Sequence, residues 1–180
     1  TVYLFHGKGG SPDGSVLQME AILMPQFWRV KFERPALPHR DITVGADSSF
    51  GWTLLQWLPK AQPNSLIVGI SLGGLIAAKL QEFAPDYNFS VLTLTSPTNL
   101  DDLKLEKKLP NRVAFYSTLD PVITGRTDWG KFTDEHFDVQ WLRDHDIDKA
   151  KYAASYMVSG YMQGCDMRHE LTHMFPVTRD

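Results

Sequence analysis

Residues 66–80 read LIVGISLGGLIAAKL, and few folds accommodate that run. Leu66–Val68 is apolar and partly β-branched, with Pro63 and Asn64 as a turn before it, which predicts a short buried strand. Leu75–Leu80 is rich in Leu and Ala, which predicts a helix. Between them lies Gly69-Ile70-Ser71-Leu72-Gly73, a G-x-S-x-G sequence followed by Gly74. A strand that enters a helix through one serine must turn sharply. The neighbours at 69 and 73 must then lack side chains, because a Cβ there would meet the adjoining strand or helix. The serine is held with its hydroxyl projecting outward, so Ser71 is the candidate nucleophile.

The rest of the chain alternates strand and helix. Strands are expected at Val2–Phe5, Trp28–Phe32, Ser90–Thr95, Arg112–Ser117 and Tyr156–Ser159. Helices are expected at Val16–Met24, Phe50–Leu58, Lys149–Tyr156 and Arg168–Phe175, with a charged helical piece at Leu100–Leu109. Apolar strands alternating with helices predict an α/β fold: a three-layer α/β/α sandwich around a mostly parallel sheet. No repeat or linker divides residues 1–180, so one domain is expected.

In such sheets functional groups gather beyond the carboxyl ends of the strands. His6-Gly7-Lys8-Gly9-Gly10 follows the first strand. Its backbone N–H groups at Gly7 and Lys8, with that of Leu72, make a candidate oxyanion hole. His6 itself is read as a hydrogen-bonding residue that shapes this loop. Asp120, in Leu119-Asp120-Pro121-Val122, is the candidate acid at a strand end, with Asp128 as the alternative. His169, in Arg168-His169-Glu170-Leu171, is the candidate base, with His173 as the alternative. The order Ser71, Asp120, His169 differs from that of other well-known serine hydrolases.

With these four motifs the chain resembles the α/β-hydrolase superfamily over nearly its whole length, as a small serine esterase-like member. The two antiparallel strands with which relatives commonly begin are absent or trimmed here. The resemblance implies a serine hydrolase that cleaves a carboxylic ester or related acyl bond through an acyl-serine intermediate. It implies no cofactor and no metal. Thioesterase, peptidase or acyltransferase chemistry on the same triad stays open, as does a catalytically silent binding protein. The connection 97–112, where many relatives insert a lid, is short. The interval from Asp120 to His169 is long and holds Trp129, Phe132, Phe137, Trp141 and Leu142. Two readings of 121–150 stay open: a lid-like insert over the site, or an ordinary packed insert.

Composition narrows the partners. A net charge of −3 gives no reason to expect nucleic acid. No apolar run approaches the length of a membrane span, and Thr1–Phe5 lacks the charged start of a secretory signal. A single cysteine, Cys165, suggests a reducing, cytoplasmic setting. The expected partner is a small-molecule acyl substrate. Gly7-Lys8-Gly9-Gly10 lacks the spacing of a phosphate-binding loop. Asp144-His145-Asp146 with Asp148 is read as a solvated acidic loop rather than a metal site.

Overall fold

In a computed structural model, which describes residues 1–169 and 171, the strands β1 (Val2–Phe5), β2 (Phe32–Glu33), β3 (Leu66–Ile70) and β4 (Ser90–Leu94) join two later ones in a central sheet. Next come β5 (Asn99–Leu100) and β6 (Leu103–Lys104), a separate antiparallel pair, then β7 (Arg112–Tyr116) and β8 (Glu135–Asp138). The central sheet has six strands in the order β2-β1-β3-β4-β7-β8, and every pairing in it is parallel. All six therefore end on one edge. From β1 the chain goes outward to β2, then back across β1 to β3. That reversal makes the gap between the ends of β1 and β3 the topological switch point, where open α/β sheets place their ligands.

Successive strand residues face opposite sides of the sheet, and two cores follow. Val2, Leu4, Val68, Ile70, Leu92, Leu94, Val113 and Phe115 pack against helices α1 (Ser15–Leu23) and α4 (Ile147–Met162). On the other side Tyr3, Phe5, Ile67, Val91 and Ala114 pack against α2 (Ala46–Trp52) and α3 (Leu72–Phe83). Each fully buried Val or Leu contributes about 1.5–3 kcal/mol from apolar area removed from water. The fold is the expected three-layer sandwich.

Several expected elements differ. The strand at Trp28–Phe32 shortens to β2, because residues after α1 wrap into turns (Val30 N–H to Phe27 O, 3.0 Å) and leave Trp28 76% exposed. The charged helical piece at Leu100–Leu109 is instead the β5–β6 hairpin: Leu103 and Leu105 are buried with period two. The helix of Phe50–Leu58 begins earlier, at Ala46, and passes through a widened turn at Thr53–Trp57 into a tight one containing Pro59. Tyr156–Ser159 lies inside α4, where Ala150, Ala154, Met157 and Val158 recur at helical spacing. Residues 167–169 are helical, and the rest of Arg168–Phe175, apart from Leu171, lies outside the described residues.

The last strand, β8, went unanticipated because three of its four residues are polar. It is an edge strand, and Phe137 alone turns fully inward, stacked on Phe115 at 5.4 Å. Of residues 121–150, Trp129, Phe137 and Leu142 belong to the two cores.

One buried cation ties the layers together. Arg112, 1% exposed at the start of β7, donates to Gln81 Oε1 (2.9 Å), Ala78 O (2.9 Å), Lys107 O (2.9 Å), Phe132 O (3.0 Å) and Glu82 Oε2 (3.3 Å). Arg112→Met takes these donors from three backbone carbonyls, from Gln81 Oε1 and from the buried Glu82 carboxylate. Stability should fall by about 3 kcal/mol or more in urea denaturation; a loss under about 1 kcal/mol would show that the network is dispensable.

Candidate active site

Ser71 joins β3 to α3 with φ 53° and ψ −123°, a backbone conformation that costs a non-glycine residue about 1–3 kcal/mol. The surrounding glycines make the turn sterically feasible. A Cβ on Gly73 would lie 2.5 Å from the Phe5 carbonyl oxygen of β1. One on Gly69 would overlap the Gly74 backbone, and one on Gly74 would overlap the Ser96 side chain. Backbone hydrogen bonds hold the turn: Ser71 N–H to Leu94 O at 2.8 Å and Gly74 N–H to Ser71 O at 2.9 Å.

The imidazole that meets Ser71 is that of His145. Its Nε2 lies 2.9 Å from Ser71 Oγ, and its Nδ1 lies 2.6 Å from Asp120 Oδ2. Asp120 follows β7, is fully buried, and accepts the Val122 N–H through Oδ1 at 2.8 Å. An ionised carboxylate only accepts, so His145 carries its proton on Nδ1 and leaves Nε2 free to accept from the serine hydroxyl. His145 sits after β8 with φ 56°, its N–H bonded to Leu142 O. Asp146 behind it caps α4, accepting the Asp148 and Lys149 N–H groups.

The expected pairing of Ser71 and Asp120 with His169 is not formed. Helix α4 starts at the carboxyl edge of the sheet and runs for 16 residues, roughly 24 Å at 1.5 Å each. It carries the chain away to the opposite edge, where Arg168 donates to Asp134 O just before β8. His169 there is exposed and lines neither cavity at Ser71. The alternative His173 lies outside the described residues. Asp128, the alternative acid, is exposed and paired with Lys131 at 3.1 Å. The Asp144-His145-Asp146 stretch, read as a solvated loop, thus supplies the imidazole. The available signal was a histidine directly before a helix N-cap, but it follows a strand too polar to recognise. Among the described residues no group of three His, Cys, Asp or Glu could hold a metal ion.

The glycine loop after β1 lies against the elbow, since a Cβ on Gly7 would sit 3.2 Å from Ser71 Cβ. The Gly9 and Gly10 N–H groups are used by His39 O and Gly7 O. Those of Gly7 and Lys8 make no hydrogen bond among the described residues, and Leu72, first in α3, has no helical partner for its own. Donors of this kind can stabilise a developing oxyanion.

Two buried histidines lock this loop, one of them unanticipated. His6 Nε2 accepts the Leu37 N–H (2.9 Å) while Nδ1 donates to Gly7 O (2.9 Å). His39, with no exposed surface, donates from Nε2 to His6 O and accepts from Ser49 Oγ at Nδ1, both at 2.8 Å. Burial holds the His6 imidazole below its usual pKa and pushes that of His39 down to about 4.

Cavities flank the Ser71–His145 pair. One of about 250 Å³ is polar, bordered by Ser11, Ser15, Thr95, Asp146 and Asp148. The other, about 520 Å³, is walled by Ile42, Leu72, Pro97, Leu100, Val122 and Ile123. Of the segment 121–150, Val122, Ile123 and Arg126 reach this second cavity beside His145.

No protein-family model matches the sequence, and no curated protein does. Solved structures do. The chain is similar to the ydeN gene product from B. subtilis, with a TM-score of 0.64 and 13% identity over 90% of this chain and 98% of that one. Alpha/beta hydrolase domain-containing protein 10 from mouse aligns with a TM-score of 0.59 and 8% identity over 91% and 89%. An extracellular alpha/beta-hydrolase from a Paenibacillus species aligns with a TM-score of 0.45 and 15% identity over 56% of this chain, which spans only 42% of its length. On the first two, the chain has the α/β-hydrolase fold. Among its described residues no helix is long and apolar enough to cross a membrane.

The histidine lock makes the fold sensitive to acid. The folded state keeps His39 neutral down to about pH 4, whereas the unfolded chain takes up that proton near 6.5. Stability from this group is complete above 6.5 and is lost as pH falls through the window to 4, by up to about 3 kcal/mol. Across that window, urea denaturation should show the wild-type chain losing more stability than His39→Gln. Equal losses would exclude His39 as the origin.

Proposed function

We propose that the protein is a serine hydrolase that cleaves a carboxylic ester or related acyl bond through an acyl-serine intermediate. The observation that carries this reading is the continuous contact from Ser71 Oγ through His145 to Asp120, at 2.9 and 2.6 Å, on the carboxyl edge of an α/β-hydrolase sheet. Ser71 Oγ attacks the acyl carbon as His145 Nε2 takes its proton. The oxyanion forms toward the N–H groups of Leu72 and the Gly7–Lys8 loop. The imidazolium, stabilised by Asp120, gives the proton to the leaving alcohol. Water then repeats the sequence on the acyl-serine, releases the acid and restores the hydroxyl. Thioester cleavage follows the same steps with a thiol leaving group.

The base assignment differs from the sequence expectation, and mutagenesis separates the two. Ser71→Ala and His145→Ala should each lower kcat/KM for a short p-nitrophenyl ester on the order of 10⁴-fold or more, and Ser71→Ala should abolish labelling by a fluorophosphonate probe. His169→Ala should stay within about twofold of wild type. Asp120→Asn should cost at least about a hundredfold, since the wrong imidazole tautomer is then favoured. Full activity in His145→Ala would refute this assignment, and failure of the wild-type chain to react with the probe would refute the hydrolase reading.

A further inference from the structure

The apolar cavity beside Ser71 has an uneven charge. Its border contains two cationic residues, Lys8 and Arg126, and no acid. Both are exposed, and neither side chain makes a hydrogen bond or ion pair among the described residues. Three of the acids around it are engaged: Asp120 is paired with His145, Asp128 with Lys131, and Asp148 accepts from Ser15. Arg126 is nonetheless firmly placed. Its carbonyl accepts from Thr98 N (2.7 Å), Thr98 Oγ1 (3.2 Å) and Asn99 N (3.3 Å), and its own N–H bonds Ile123 O at 2.9 Å. The backbone of this cation is thus bolted to the segment that supplies the Pro97 and Leu100 walls. The walls are wet as well as apolar: Ile42 is 67% and Val122 57% exposed. A ligand there would release water from apolar surface and find a positive charge that holds no hydrogen-bonded partner among the described residues.

On the reading of Ser71 as nucleophile, we infer that this cavity takes the acyl part of an ester whose apolar chain ends in a carboxylate, with Arg126 as the specificity-determining residue and Lys8 adding charge. The polar cavity on the other side, bordered by serines, by Asp146 and Asp148 and by the shared Lys8, suits a small hydroxylated leaving group.

The test compares p-nitrophenyl pentanoate with the mono-p-nitrophenyl ester of pentanedioic acid, which differs in its terminal carboxylate. The acidic ester should have a kcat/KM at least about tenfold higher, mainly through KM. Arg126→Gln should cut that ratio at least about fivefold, and about 0.5 M NaCl should lower it too. A ratio near one in the wild-type chain, or a ratio unchanged by Arg126→Gln, overturns the inference and leaves acyl transfer at Ser71 standing. If neither ester is cleaved, the hydrolase reading falls and binding decides the inference. Calorimetry on Ser71→Ala would then compare monomethyl pentanedioate with methyl pentanoate. Tighter binding of the acidic ligand, by about tenfold and lost when Arg126→Gln is added, sustains the anion site. Equal or absent binding overturns it.

Discussion

The close approach of β1 to the first turn of α3 is the constraint on which the site depends. Gly73 lies so near the Phe5 carbonyl that no side chain fits between them. Only because helix and strand touch there can the chain reverse at Ser71 with φ 53°. The same contact brings the loop after β1 within van der Waals reach of the serine. Ser71 and the N–H groups of the Gly7–Lys8 loop are therefore placed together by one packing event. The cost of the strained residue, about 1–3 kcal/mol, is offset by the two cores that clamp the sheet from both faces.

The remaining groups arrive from different strands, and the parallel sheet makes that possible. Because all six strands end on one edge, the loops after β1, β3, β7 and β8 converge. Asp120 comes from the third of these and His145 from the fourth. Asp120 is buried, with its second oxygen held by the Val122 N–H. A carboxylate so fixed can orient an imidazole with little freedom to lose, which is the quality a proton-transferring base needs.

Buried polar groups elsewhere serve the same rigidity. His6 and His39 use their ring nitrogens to fix the glycine loop, whose own residues have no side-chain anchors. Arg112 does comparable work at the far end of α3, joining it to β7 and to the loops at 107 and 132. Both networks satisfy nearly every donor they bury, as low-dielectric interiors require.

What the sequence by itself determined was local. The glycines around Ser71 dictate the elbow, because a sterically impossible Cβ is impossible in any tertiary context. The alternation of apolar strands and helices dictates a parallel sandwich, and Asp120 is legible as a turn residue at a strand end. Which imidazole meets Ser71 was decided by tertiary structure alone. Locating it required knowing that Glu135–Asp138 is a strand, yet an edge strand with one inward residue carries almost no periodic signal. Without that strand, nothing in the sequence marks His145 as lying at a strand end, and the long helix after it carries the chain to His169 at the opposite edge. His39 was illegible for a related reason. Its role depends on the β2–α2 connection folding back over the loop after β1, a contact between distant segments that no local pattern encodes.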